Sequence, residues 1–185
     1  SRGDWIAFLD SDDEWLPEKL ACQHAALETD PGALLCHTEE IWIRNGVRVN
    51  PMKKHAKRGG RIFESCLLLC CMSPSSVVVH RSVLEDVGVF DERLPACEDY
   101  DLWLRIPHRY PVLFVDEPLV IKHGGHGDQL SRRYWGMDRF RIAALEKLLA
   151  GVSLTADQRA AAESVLAEKI EIYRKARRDA GHQGE

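Results

Sequence analysis

The sequence predicts an α/β protein whose carboxyl-terminal part is helical. Short aliphatic, β-branched runs alternate with helix-period segments through about residue 131. The first such run ends in a cluster of acidic residues, the position at which open α/β sheets bind ligands. After a glycine-rich turn, residues 132–185 read as helix alone. The expected division is therefore 1–131 for the sheet-bearing domain and 132–185 for a helical extension.

Taken in order, Trp5–Leu9 reads as a buried strand closed by the polar turn Asp10-Ser11-Asp12-Asp13-Glu14. A helix opens at Leu16-Pro17, with Pro17 in its first turn and Leu16, Leu20 and Leu27 on its apolar side, and Asp30-Pro31-Gly32 stops it. Ala33–Cys36 and Glu40–Ile43 are predicted strands, and Asn45-Gly46 is a hairpin turn leading to Val47–Val49. Pro51–Gly60, with Lys53, Lys54, His55, Lys57 and Arg58, reads as a solvated basic loop. A short helix (Phe63–Cys71), a strand (Ser75–His80) and a second short helix (Arg81–Val87, stopped by Gly88) follow. Glu98–Ile106 is a helix, and Val112–Val115 and Leu119–Lys122 are strands. Arg133–Leu149 is an amphipathic helix. Thr155-x-x-Gln158 has the form of a capping box for a last helix reaching about Asp179.

Of the 185 residues, 45% are hydrophobic and 29% charged, enough for one sizeable core. A net charge of -4 argues against a nucleic-acid binder. The longest apolar runs, Cys66–Met72 and Val77–Val79, are too short to cross a membrane. Six cysteines (Cys22, Cys36, Cys66, Cys70, Cys71, Cys97) form no C-x-x-C pair, so free buried thiols are expected and a zinc site is not. The chain starts on a predicted central strand without an initiating Met, which leads to the expectation that residues precede Ser1.

Three constellations carry chemistry. Asp10, Ser11, Asp12 and Asp13 crowd carboxylates at a strand end; a hard divalent ion such as Mg²⁺ or Mn²⁺ relieves such repulsion, and a solvated acidic turn capping the next helix is the plainer alternative. Glu98 and Asp99 stand at a helix start, where the dipole favours an ionised carboxylate able to take a proton, or where they serve only as helix-start acids. His123 and His126 flank a glycine-rich turn that could reach a metal or a diphosphate, His126 being the stronger candidate; a surface loop is the simpler reading.

With these residues in view, the segment Gly3-Asp4-Trp5-Ile6-Ala7-Phe8-Leu9-Asp10-Ser11-Asp12-Asp13-Glu14-Trp15-Leu16-Pro17 resembles the surroundings of the D-x-D motif of family 2 glycosyltransferases. Gly88-Val89-Phe90-Asp91-Glu92 followed by Glu98-Asp99-Tyr100-Asp101-Leu102-Trp103 resembles the acceptor-side motif of that family. The resemblance spans Ser1 to Ser131. It implies a GT-A type α/β/α sandwich with a mostly parallel sheet, and inverting transfer from a nucleoside-diphosphate sugar to a carbohydrate or lipid-linked acceptor hydroxyl. Asp10 would contact the nucleotide-sugar and Asp12, with Asp10, the metal; Ser11 and Asp13 would lie beside them. Asp99 would be the general base and Glu98 its neighbour. The resemblance also implies a role in cell-surface polysaccharide synthesis and a cytoplasmic location, with peripheral contact at the inner face of the plasma membrane left open. The family's nucleobase-holding portion lies upstream of the D-x-D strand and has no counterpart in these residues.

Two alternatives stand beside this reading: an inactive acceptor-binding remnant, and a haloacid-dehalogenase-like phosphatase, against which Glu14 breaks the motif. The basic face of the last helix (Lys169, Arg174, Lys175, Arg177, Arg178) reads as solvated, with a membrane or partner as the second option. Oligomeric state is not legible.

Overall fold

The structure is a computed structural model and describes residues 1–50, 52–125 and 133–181. Its strands are β1 (Trp5–Ala7), β2 (Glu14–Trp15), β3 (Leu35–Arg44), β4 (Val47–Val49), β5 (Val78–His80) and β6 (Leu113–Gly124). The helices are α1 (Lys19–Thr29), α2 (Phe63–Leu68), α3 (Arg81–Val87), α4 (Glu98–Arg105), α5 (Asp138–Gly151) and α6 (Ala156–Gly181). The strands form one sheet in the order β1-β5-β3-β6-β2, with β4 folded back on β3.

The α/β class holds, but strand directions are more mixed than expected. Among the described strands, β3–β6 is the parallel pair; β1–β5, β3–β5, β2–β6 and β3–β4 are antiparallel. The cause is local: β4 and β2 are short return strands, and β5 inserts between β1 and β3 running against both.

Two expected strand pairs each merge into one. His37 and Thr38, polar and fully buried, carry β3 without a break from Leu35 to Arg44. In β6 the exposed Asp116-Glu117-Pro118 stretch stays in the strand; Pro118 sits where the register with β3 shifts, a bulge that tolerates its missing N–H. The Asn45-Gly46 hairpin forms as expected, both residues at positive φ (48° and 76°). β1 is three residues long and pairs on one side only, so Trp5 is 37% exposed rather than buried.

Helices cover both sheet faces. On one side Leu27 of α1 packs with Ala33, Cys36 and Val78. α1 buries Lys19, Gln23 and Leu27, whereas Leu20, expected on the apolar side, is exposed. Polar residues can take that face because they are satisfied. Lys19 Nζ donates to Gln23 Oε1 (2.7 Å) and sits 4.4 Å over the Trp15 ring, and Gln23 Nε2 donates to the Cys36 and Ser76 carbonyls. Burial pushes the Lys19 amine down to about 8.

On the other side lies the main core, in which Leu35, Phe63, Val79, Tyr100, Trp103 and Leu104 pack with Leu145 and Leu148 of α5 and Ala162 of α6. The helices after residue 132 thus share the core of the sheet-bearing part. The expected capping box opens α6: Thr155 N–H donates to Gln158 Oε1 and Gln158 N–H to Thr155 Oγ1. Lys169 is not on a solvated face; it is 9% exposed, and Nζ donates to the Leu68 carbonyl. Among the described residues no helix is long and apolar enough to cross a membrane, and all six cysteines are free.

The basic loop is likewise not simply solvated. Lys57 reaches the buried Glu40 of β3 (Nζ–Oε1 2.8 Å), with side-chain exposures of 4% and 2%, and donates also to the Thr38 carbonyl. Glu40 accepts from Trp42 Nε1 (2.9 Å) and from Ser73 Oγ. His37 Nε2–H donates to the Arg58 carbonyl (3.0 Å), tying the same loop to the sheet.

Two predictions follow from this frame. Burial lowers His37 from 6.5 to about 4; Glu40, despite burial, is drawn from 4.5 to about 2 by Lys57 and Lys122. In each case the unfolded chain binds the proton more readily than the folded one. Stability measured by urea denaturation should therefore decline as pH falls from about 6.5 towards 4 through His37, and below 4.5 through Glu40 as well. Separately, Lys57→Met leaves a buried unpaired carboxylate and should cost about 3–5 kcal/mol at neutral pH. Adding Glu40→Gln to it should recover most of that loss.

Candidate active site

The acidic turn follows β1 and is shaped by hydrogen bonds from three directions. Asp13 N–H donates to the Asp10 carbonyl (3.1 Å), closing the turn on itself. Asp10 N–H donates to Ser75 Oγ (3.0 Å), and Trp15 Nε1 donates to the Ser75 carbonyl (2.8 Å). From β6, His123 N–H donates to Asp13 Oδ1 (3.2 Å), and the His123 ring meets Glu14 Oε1 at 2.8 Å.

The four turn residues are not equivalent. Ser11 and Asp12 are exposed and Asp10 is half-buried. Asp13 is 8% exposed, and its Oδ2 is buried without a hydrogen-bond partner. Burial pushes the Asp13 carboxyl up, partly offset by the neighbouring Ser75 hydroxyl and the Lys122 amine. Asp10 is raised by burial and then by Asp13, with smaller contributions from Asp12 and Asp99, against the pull of Lys122.

The second constellation stands at the start of α4. Cys97 caps it in the left-handed conformation (φ 62°), turning the chain so that Glu98 and Asp99 open the helix. Asp99 Oδ1 accepts from the Tyr100 N–H (2.6 Å), and Oδ2 accepts from the Cys70 thiol (3.0 Å). Glu98 is raised by burial and by the charges of Asp99 and Asp10. Asp10 thus feels Asp99, and Glu98 feels Asp10: the fold brings the two sequence motifs, 85 or more residues apart, within range of one another's charge.

Behind α4 the acids are fully paired. Asp101 is buried and held by Arg105 (2.8 Å) and by Lys147 of α5 (3.0 Å), which also reaches Asp91 (2.7 Å). Arg105 donates in addition to the Val87 and Val89 carbonyls. Gly88, between them, has φ 84°, and a Cβ there would come within 3.3 Å of the Arg105 guanidinium. This clamp fixes the loop that delivers Glu98 and Asp99.

Three site residues were not anticipated. Lys122 on β6 is a cation facing the acids: burial works against its charge, but Glu40, Asp13 and Asp10 outweigh it and raise its pKa. Ser75 braces the acidic turn, and Cys70 contacts Asp99. The last two belong to one short stretch that ends in the 3-10 turn Pro74–Ser76 and whose Ser73 also bonds Glu40. Its serines in an otherwise apolar stretch were the available clue. His126 lies outside the described residues.

Whether the site fits a divalent ion can be judged from its donors. Among the described residues no three His, Cys, Asp or Glu side chains are grouped to hold a metal. The turn offers hard carboxylate oxygens, one of them, Asp13 Oδ2, buried and unpartnered. That set fits an ion held by one or two carboxylates and completed by phosphate oxygens and water, as Mg²⁺ sites commonly are.

Comparison with known proteins bears on the fold and the family. Among solved structures, S. aureus TarS 1-349 in complex with UDP-GlcNAc superposes with a TM-score of 0.65 at 18% identity, covering 92% of this chain and 48% of that one. TarS 1-349 in complex with UDP gives 0.57 at the same identity. The fold is therefore that of a GT-A glycosyltransferase. An uncharacterized glycosyltransferase of Rickettsia felis is 36% identical over 137 residues, 71% of this chain and 23% of the relative. One from Rickettsia bellii is 26% identical over 137 residues, or 20% of its length. The chain thus spans less than a quarter of these relatives and about half of the TarS fragment. Residues 1–148 match the family described as glycosyltransferase like family 2, and the chain belongs to that family.

Proposed function

We propose that the protein transfers a sugar from a nucleoside-diphosphate sugar to an acceptor hydroxyl, with inversion and with help from a divalent metal. The observation that carries this reading is that the acidic turn, with its unpartnered Asp13 oxygen, lies within electrostatic range of the carboxylates of Glu98 and Asp99. TarS, whose fold this chain shares, has been captured with UDP-GlcNAc, which makes that compound the first donor to try.

Asp12 and Asp13 would hold Mg²⁺ or Mn²⁺, with Asp10 beside them and directed at the nucleotide-sugar, and Ser11 completes the turn. When bound, the ion supplies Lewis-acid stabilisation of the departing diphosphate. Lys122 adds a fixed positive charge behind the acids, so that the cleft is not purely repulsive to an anionic donor. Asp99 accepts the proton of the acceptor hydroxyl at a carboxylate oxygen as that hydroxyl attacks the anomeric carbon from the face opposite the diphosphate. Glu98, raised by burial, lies beside it as an acceptor-site hydrogen-bonding group. A carbohydrate or lipid-linked acceptor suits this chemistry, as does a cytoplasmic enzyme working at a membrane face. The phosphatase alternative finds no support. The acceptor-binding remnant differs from the enzyme in one respect, turnover.

The test is calorimetric titration of UDP-GlcNAc and other nucleoside-diphosphate sugars with and without MnCl₂, on this chain and on any longer product of its reading frame. Metal-dependent binding is expected, abolished in Asp12→Ala and Asp13→Asn and retained in Asp99→Asn. Transfer by Asp99→Asn should fall about 10²–10⁴-fold. Donor binding that ignores both metal and the turn aspartates would sink the assignment; binding without transfer would favour the remnant.

Ser75→Ala probes the brace. Loss of the acceptor for Asp10 N–H should cost about 1–3 kcal/mol in denaturation and weaken metal-dependent donor binding. Unchanged binding in a destabilised variant would confine Ser75 to the fold.

A further inference from the structure

Beside Asp99 lies a side chain that the transfer mechanism does not use. Cys70 follows α2 in the stretch that leads to the 3-10 turn Pro74–Ser76, and its Sγ is 3.0 Å from Asp99 Oδ2 and 3.2 Å from the Met72 carbonyl oxygen. A thiol has one proton, so these two acceptors compete for it. An ionised carboxylate is the stronger acceptor and takes it while Asp99 is charged. Once Asp99 is protonated its pull weakens, and the Met72 carbonyl is already within reach as the alternative.

We propose that Cys70 is a positioning residue for Asp99, its thiol proton switching between Asp99 Oδ2 and the Met72 carbonyl as the carboxylate loses and gains a proton. The inference rests on Asp99 acting as the base. The Tyr100 N–H fixes Oδ1 and the thiol fixes Oδ2, so the carboxylate plane is set by one contact from its own helix and one from across the cleft. A thiol suits this place because it is a weak donor: it orients the carboxylate while drawing off less of its basicity than a hydroxyl would. The switch also spares the thiol from being stranded without an acceptor at the moment the proton arrives.

The surroundings keep Cys70 a donor rather than a nucleophile. Burial and the adjacent Asp99 charge push its thiol well above the ordinary range, opposed only in part by Lys122. Other ionisable groups around the pair are Asp10 from the acidic turn, Glu98 and Cys97 at the helix start, Tyr100 of α4, Cys66 of α2 and Cys71 next in sequence.

Infrared difference spectroscopy of the S–H stretch reads this directly. The Cys70 band, identified by its loss in Cys70→Ala, should shift in frequency when the protein is taken from neutral to acid pH. In Asp99→Asn that pH-dependent shift should be absent. Transfer assays on the same proteins should show a fall in kcat of up to about 10²-fold for Cys70→Ala, with donor KM unchanged and partial rescue in Cys70→Ser. A Cys70 band that does not respond to pH, or a Cys70→Ala variant with wild-type kcat and a normal fold by circular dichroism, overturns the positioning role. A full-rate Asp99→Asn variant overturns instead the base assignment on which it rests.

Discussion

Carboxylate crowding is the constraint on which the rest of the structure depends. Asp10, Asp12, Asp13, Glu98 and Asp99 come from two distant parts of the chain and feel one another's charge, with several of them partly buried. At an effective dielectric constant of 20, two like charges 4 Å apart repel by about 4 kcal/mol. Such an arrangement persists only if the surrounding fold holds it in place. Backbone N–H groups of Asp13 and His123, the Ser75 hydroxyl and the Lys122 amine each take up part of that burden.

What holds these groups is itself polar and buried. The Lys57–Glu40 pair joins the basic loop to the middle of β3, and through Ser73 it reaches the segment that also carries Cys70 and Ser75. Cys70 touches the α4 side of the cleft and Ser75 the acidic-turn side. One short stretch, ending in the 3-10 turn Pro74–Ser76, therefore touches both motifs. Buried ion pairs are poor sources of net stability because desolvation offsets their attraction. Here the pair sets a position: a hydrophobic replacement could match its packing but would not orient Ser73.

The sequence showed the class of fold, the order of most elements, the hairpin at Asn45-Gly46, the capping box at Thr155 and both acidic motifs. These are local signals, written in periodicity, turn residues and short spacings. What it hid were relations across the chain. Lys57 looked like a solvated basic residue because nothing nearby in sequence announces Glu40 as its partner. Lys19 and Gln23 took the buried face from Leu20 because Trp15 and the Cys36 and Ser76 carbonyls satisfy them, which only the folded chain reveals. β3 and β6 each read as two strands because His37, Thr38 and Pro118 interrupt the apolar pattern, although their backbones stay in the ladder. Cys70 and Ser75 were passed over for the same reason: their roles are defined by Asp99 and Asp10, 29 and 65 residues away.

The two sides of α4 show how the site tolerates its own strain. On one side Glu98 and Asp99 are half-buried, and Asp99 is held by the Tyr100 N–H and the Cys70 thiol. Towards the back, Asp101 is buried in a full set of charge-assisted bonds from Arg105 and Lys147, and Arg105 closes on the Val87 and Val89 carbonyls. Lys147 belongs to α5, whose Leu145 and Leu148 lie in the same core as Trp103 and Leu104. The carboxyl-terminal helices therefore pack into the same core as α4. Through Lys147 they hold Asp101, two residues along α4 from Asp99, so the helix start is anchored from behind by a charge-assisted bond as well as by packing.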